Sequence, residues 1–226
     1  MIDLHTHTLL SDGELLPSEL GRRYKVLGYK AVALTDHIDA SNMELILPKI
    51  VEIAAKLTKS AGIIVIPGVE LTHIPKKDIS GLVKKARSLG AKLVLAHGET
   101  LVEPVAKGTN KQALMCGIDI LTHPGLITLQ DAKLAAKKGI YLEITTRRGH
   151  AFSNGHVAKT AKLAGAKLVL NSDAHSPGDI LKPAVAEKIA QGAGLTRKEC
   201  AICVKMRRIS CAKYYRFHLT LEAFVL

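Results

Sequence analysis

Short apolar runs alternate along this chain with longer stretches in which apolar residues recur every three or four positions. Seven runs stand out, at 1–4, 31–35, 63–66, 92–96, 118–122, 140–142 and 167–171. Between them, Leu20, Tyr24 and Leu27 repeat at helical spacing; Pro17 suits the first turn and Gly28 the stop. Ile79, Leu82, Val83, Ala86 and Leu89 form a second such face, bounded by Asp78 as N-cap and Gly90 as C-terminal stop. Further helices are predicted at about 41–60, 128–138, 156–164 and 177–192. Short strands alternating with amphipathic helices are the signature of repeated βα units, so seven parallel strands in a barrel or sheet are expected.

One internal repeat agrees with that rhythm. Gly90-Ala-Lys-Leu-Val-Leu95 recurs letter for letter as Gly165-Ala-Lys-Leu-Val-Leu170, each copy leaving a predicted helix and entering a predicted strand. Repetition of a helix–turn–strand unit fits a barrel of near-equivalent modules, although common composition could also produce it. The rhythm fails beyond about residue 196. The chain therefore divides into an expected barrel domain, 1–196, and a terminal helix and tail, 197–226. The tail could cover the barrel bottom, mediate self-association or have no function.

Composition narrows the class. A chain of 226 residues with 47% hydrophobic and 23% charged residues is long enough for one well-packed globular domain. No apolar run approaches the roughly 18–20 residues that span a bilayer. The N-terminus has neither a basic region nor a long apolar core, so no signal peptide and a cytoplasmic location are expected. The net charge of +12 points either to an anionic partner or to a lysine-rich solvated surface. Lysines spread over the helical stretches favour the surface reading. Aromatics at 4%, with no Trp, argue against a base-stacking nucleic-acid platform. Cysteines at 116, 200, 203 and 211 do not suggest a disulfide framework, and Cys200-Ala-Ile-Cys203 alone is a weak zinc signal.

The chemistry lies at the ends of the apolar runs. Nearly every run leads into a His, Asp or Glu: His5-Thr-His7, Asp36-His37, Glu70, His97, His123, Glu143 and Asp173-Ala-His175. Parallel strands gather their C-termini on one face, so residues far apart in sequence would meet in one pocket. Alternate residues of an extended segment share a side, which lets His5 and His7, or Asp173 and His175, approach one ion. Each pair alone is more often a solvated or hydrogen-bonded pair. Six of the ten histidines occupy these positions, however, and so many ionisable groups in one pocket imply metal ions.

At this point the chain resembles the PHP family, the polymerase and histidinol phosphatase phosphoesterases. The matching motifs are His5-Thr-His7 with Ser11-Asp12-Gly13, Thr35-Asp36-His37, Gly68-Val-Glu70, His97, His123-Pro-Gly and Asn171-Ser-Asp173-Ala-His175. They span residues 1 to about 180, roughly four fifths of the chain. The resemblance implies an α/β fold, a distorted (β/α)7 TIM-like barrel, and two to three divalent ions of Zn, Mn or Fe. Implied for the first ion are His5, His7, Glu70 and Asp173. Glu70 is implied to bridge to a second ion on His97 and His123, and Asp12, His37 and His175 to hold a third. Asp36 and Glu143 would orient ligands, and Asp36, His175 and Arg147 are the expected catalytic groups.

Arg147, Arg148 and His150 follow the sixth strand at the same face and are candidates for gripping a phosphate, or a surface pair without a role. His156 and Lys107 are weaker candidates; His73 and His218 read as structural. The expected activity is hydrolysis of a phosphomonoester of a small metabolite, of histidinol phosphate or nucleotide type, by a metal-activated hydroxide. The alternative is an exonuclease or phosphodiesterase on single-stranded or short oligonucleotides. A scaffolding barrel without catalysis would not need the full ligand set. The expected partner is a small phosphorylated substrate, with nucleic acid second and no membrane.

Overall fold

The computed structural model describes residues 1–201 and residue 203. Strand β1 (Ile2–Asp3) leads to helix α1 (Pro17–Val26), strand β2 (Ala31–Leu34) and the two-residue β3 (His37–Ile38). Helix α2 (Met43–Ser60), β4 (Ile64–Leu71), α3 (Ile79–Ser88) and β5 (Leu93–His97) follow. The chain continues through α4 (Thr109–Met115), β6 (Ile120–Thr122), α5 (Leu129–Lys138) and β7 (Tyr141–Thr145). It closes with α6 (Asn154–Ala164), β8 (Leu168–Asn171) and α7 (Pro183–Gly192).

The strands pair in the order β1-β2-β4-β5-β6-β7-β8, with β3 also on β4, and every pair is parallel. Ala31 pairs with Ile64 and His37 with Glu70, the same offset along β4. β2 and β3 are therefore one strand interrupted at Thr35–Asp36, and the seven predicted strands are the seven of the sheet. Closure comes from a parallel bridge between Thr6 and Ala174, supported by Asp173 N–H donating to the His5 carbonyl (3.0 Å) and His7 N–H to the Ala174 carbonyl (2.9 Å). The result is a nearly closed (β/α)7 barrel of the TIM-like kind.

Two apolar layers hold it. Inward residues such as Leu4, Ala33, Ile66, Leu95, Ile120 and Val169 fill the barrel. Outward residues such as Leu34, Val69, Val94, Leu121, Leu142 and Leu170 pack under the helices. The alternation follows directly from the two-residue period of a strand.

The repeated hexapeptide is built the same way twice. Gly90 (φ 104°) and Gly165 (φ 70°) take the left-handed turn that ends α3 and α6. In each copy the next N–H reaches back five residues, Ala91 to the Ala86 carbonyl (3.0 Å) and Ala166 to the Ala161 carbonyl (2.9 Å). This is a Schellman-type stop, which favours glycine because a Cβ is strained at positive φ.

Four elements differ from the sequence expectations. β4 and β7 run on to Leu71 and Thr145, because inward Glu70 and Glu143 stay in the ladder although they end the apolar run. The helix predicted over 177–192 begins at Pro183; Pro177–Asp179 is a separate 3-10 turn, and Lys182 is held extended by the proline after it. Helix α4 was not predicted, since Thr-Asn-Lys-Gln-Ala-Leu-Met buries few apolar side chains. Of the predicted tail, residues 197–201 are helical, while Cys211 and His218 lie outside the described residues. No helix among the described residues is long and apolar enough to cross a membrane.

Candidate metal centre

The C-terminal ends of the strands carry a buried nest of imidazoles and carboxylates. His5, His7, Glu70, His97, His123, Asp173 and Glu143 are all at most 2% exposed. Among the described residues, donor atoms gather into four groups: His5 with His7 and Glu70; His5 with His123 and Asp173; His7 with Asp12, His37 and His175; and His73 with His97 and Glu103.

The spacing inside these groups suits a metal. Ligands at about 2.0–2.1 Å from a tetrahedral ion lie about 3.3 Å from one another. His5 Nε2 is 3.0 Å from His7 Nε2, 3.3 Å from Glu70 Oε1 and 3.5 Å from Asp173 Oδ1, and His7 Nε2 is 3.2 Å from Asp173 Oδ1. At the outer group, Asp12 Oδ1 is 3.6 Å from His37 Nε2 and 3.3 Å from His175 Nε2, with the two nitrogens 3.4 Å apart. His7 Nδ1 and His123 Nδ1 are buried without a hydrogen-bond partner, and Glu70 Oε2 has His37 Nδ1 beside it at 3.0 Å. Buried imidazoles and carboxylates crowded at these distances are costly unless a cation meets them. The residues present therefore fit divalent ions.

Neighbouring groups fix which ring nitrogen faces the pocket. His5 Nδ1 is 2.9 Å from Glu143 Oε1, so its Nε2 is left for the centre. The other Glu143 oxygen accepts the backbone N–H of His123 (3.0 Å), and Asn171 donates to Oε1 (2.8 Å). His37 Nδ1 meets the Thr72 hydroxyl (2.6 Å), which itself donates to the Glu70 carbonyl (3.2 Å), and His175 Nδ1 meets the Asp173 carbonyl (3.0 Å). The Thr122 hydroxyl donates to Glu70 Oε1 at 2.5 Å. Glu143 thus fixes the His5 ring and the His123 backbone. Asp36 acts one step away: its Oδ1 accepts Thr8 N–H (2.8 Å) and the hydroxyls of Thr8 and Ser11 (both 2.9 Å). These bonds pin the loop that carries Asp12. A Cβ on Gly13 would lie 2.6 Å from the His7 carbonyl, so only glycine lets this loop close onto the strand end.

Charge is strongly perturbed here. Burial and the neighbouring His37 push His7 down to about 3, leaving a neutral donor at neutral pH. Burial disfavours charge on His5, but Glu143, Glu70 and Asp173 outweigh it and hold the ring well above its usual value. Burial likewise opposes the carboxylates of Glu70 and Asp173, yet the imidazoles around them, His5 foremost, keep both well below the usual range. Burial alone pushes Asp36 up against three hydrogen bonds that favour its charged form.

The expected ligands lie in overlapping groups. His123 Nε2 reaches Glu70 Oε1 at 3.4 Å and gathers with His5 and Asp173. The His97 ring lies 4.3 Å from that of His123, and its Nε2 is 2.9 Å from Glu103 Oε2. His7 lies between two groups. Arg147, 28% exposed, sits 3.8 Å from Asp173 and 3.5 Å from Asp179 and, with Arg148, Asp12 and His175, lines a cavity of about 420 Å³. His150 does not line that cavity; its ring stacks on His123 (4.2 Å between centroids), with Nδ1 on the Thr100 hydroxyl (2.7 Å) and Nε2 3.2 Å from Glu103. His156 bonds the Ile127 carbonyl (2.8 Å) within the fold, and Lys107 is exposed. Sequence reasoning missed Glu103 and gave His73 no role in the pocket. Both lie off the strand ends, so no apolar run marks them.

Comparison with known proteins agrees with this geometry. The PHP domain family matches residues 3–115. An uncharacterized protein of Methanocaldococcus jannaschii is 49% identical over 199 residues, covering 87% of this chain and 91% of that protein. A probable phosphatase of Shewanella pealeana is 31% identical over 228 residues, covering 85% of this chain and 84% of that one. Among solved structures, a candidate histidinol phosphatase of Listeria monocytogenes aligns with a TM-score of 0.57 at 11% identity, covering 82% of this chain and 99% of that chain. At that identity the likeness bears on the fold alone. The motif-bearing first half and the near full-length relatives give one result: this chain belongs to the PHP domain family.

Proposed function

We propose that the chain is a metal-dependent phosphoesterase that hydrolyses a phosphomonoester of a small metabolite. One observation carries the reading: Asp12 and His175 of the outer donor group line the same cavity as Arg147 and Arg148. Metal-type donors and guanidinium groups on one small pocket are what a phosphate ester needs at both its charged and its reacting ends. The cavity, about 420 Å³, suits a drug-sized or smaller ligand.

His5, His7, Glu70, His97, His123 and Asp173 would hold the inner ions, and Asp12, His37 and His175 the outer one. Divalent ions there would supply Lewis acidity, lowering the pKa of water and neutralising phosphate oxygens. Imidazole-rich ligation favours Zn, Mn or Fe over Mg. The chain's own residues do the rest. Glu143 and Asn171 fix the ring of His5, and Asp36 holds the Thr8–Asp12 loop over the pocket. Arg147, shared between Asp173 and Asp179, presents its planar donors to a phosphate at the cavity wall. Packing beneath the inner group, by Leu95 and Ile66 among others, excludes water from below.

A phosphate-release screen on metal-reconstituted protein tests this. Its panel should cover histidinol phosphate, nucleoside monophosphates, bisphosphates and short oligonucleotides. Release of inorganic phosphate from at least one monoester is expected. Shortened oligonucleotides without phosphate release from any monoester would replace the reading with a nuclease.

A further inference from the structure

His97 ends β5, and its ring lies 4.3 Å from that of His123 and 6.3 Å from that of His37, within the mouth of the barrel. Its Nδ1 faces the Gly98 carbonyl at 3.1 Å, which leaves Nε2 as the nitrogen free to ligate an ion. That same Nε2 is 2.9 Å from Glu103 Oε2, on the irregular loop between β5 and α4. Adjacent ligands of a tetrahedral ion lie about 3.3 Å apart, so an ion that takes Nε2 has this oxygen within reach of its own shell. With the proton on Nδ1, two acceptors face each other there unless a cation lies between them.

The loop is built to hold Glu103 in that place. Its two ends are tied together by Glu99, whose Oε1 accepts the backbone N–H of Gly108 (3.0 Å) and of Asn110 (2.9 Å). Asn110 Oδ1 accepts Glu99 N–H in return (2.9 Å), and its amide donates to the Pro124 carbonyl (2.9 Å), beside His123. Nearer the tip, His150 Nε2 is 3.2 Å from Glu103 Oε1, and its Nδ1 meets the Thr100 hydroxyl at 2.7 Å. His150 itself is fixed by stacking on the His123 ring. One carboxylate oxygen is thereby engaged by His150 and the other is turned to His97, as outer partners orient ligands in known metal sites. His73 Nε2, 3.2 Å from Oε2, flanks the carboxylate on its solvent side.

We propose that Glu103 is a further ligand of the inner metal centre, on the same ion as His97, with His150 as the residue that positions it. The inference rests on the metal centre of the phosphoesterase reading and adds to it a carboxylate carried by a loop. Glu70 is fully buried in the strand ladder, whereas Glu103 is 36% exposed at its side chain. The ion of His97 is therefore held from the barrel interior on one side and from the rim on the other. A second anionic oxygen beside imidazole nitrogens keeps the preference for Zn, Mn, Fe or Co over Mg. This ion is the one that a change in the loop releases first.

The test is metal affinity. Metal-stripped protein competes with a chromophoric chelator for Co(II) or Zn(II), as wild type, Glu103→Gln, Glu103→Asp, His150→Phe, His97→Ala and the double variant His97→Ala/Glu103→Gln. Glu103→Gln should bind one ion about 10–100-fold more weakly, leave the other affinities unchanged and alter the Co(II) visible spectrum. Glu103→Asp keeps the charge one methylene short and should fall between that variant and wild type; it carries the test if Glu103→Gln does not fold. His150→Phe should weaken the same ion, by less than Glu103→Gln. Because both residues serve one ion, the double variant should bind no fewer ions than His97→Ala. Wild-type affinities and spectra in both Glu103 variants would overturn the proposal, as would a double variant that loses one ion more than His97→Ala. Either outcome leaves the phosphoesterase reading standing, whereas a wild type that binds no ion removes both.

Discussion

The lower and upper halves of the barrel interior are lined by the same strands at the same parity, yet their chemistry is opposite. Along β4 the inward series runs Ile64, Ile66, Gly68, Glu70; along β5 it runs Leu93, Leu95, His97; along β7, Tyr141 and then Glu143. The first members of each series release water from apolar surface and stabilise the fold at about 25 cal/mol per Å². The last members bury imidazoles and carboxylates, each of which costs free energy unless paired. The barrel's lower half therefore stabilises a cluster that could not stand alone, and the proposed cations would complete what hydrogen bonds leave open.

This contrast can be broken from either side. The largest effect is expected from His7→Ala: turnover should fall to background in a phosphate-release assay, while circular dichroism stays that of the wild type. Next, Leu95→Ala at the fully buried floor should cost about 2–5 kcal/mol in urea unfolding yet leave metal content unchanged. Loss of metal in that variant would mean that floor and mouth are not separable. Glu143→Gln keeps the shape but weakens the orientation of His5, and metal affinity measured by competition with a chelator should drop about 10–100-fold. The smallest effects belong to the repeat. Gly165→Ala should cost about 1–2 kcal/mol for positive φ alone. Gly90→Ala should cost more, because its Cβ would also press on Val51 Cγ2 at 3.2 Å. Equal melting temperatures for the two variants would show that the copies are not packed as described.

Much of this architecture is legible in the sequence, for a physical reason. A parallel strand buried on both faces must be an apolar run, and a βα unit must stop its helix cleanly, so runs and glycines mark the modules. The inner donors are legible because each follows such a run. What escapes is what loops do. Helix α4 shows no apolar stripe, and Glu103 and His73 are 30 residues apart with no periodicity to join them. Asp36 was legible as a pocket residue, but its hydrogen bonds to Thr8 and Ser11 depend on a loop conformation that no pattern encodes. His150 and Arg147 are three positions apart and read as equivalent in sequence; both reach Asp173 Oδ2, at 4.0 and 3.8 Å, but only Arg147 also lines the outer cavity.

The central claim is that the strand-end cluster is completed by metal. It is tested most directly by the metal content of protein purified without chelator, measured beside His7→Ala. Two to three transition-metal ions per chain in the wild type, with fewer in the variant, is the predicted result. A folded wild-type protein that carries no metal and takes none up on dialysis would contradict it.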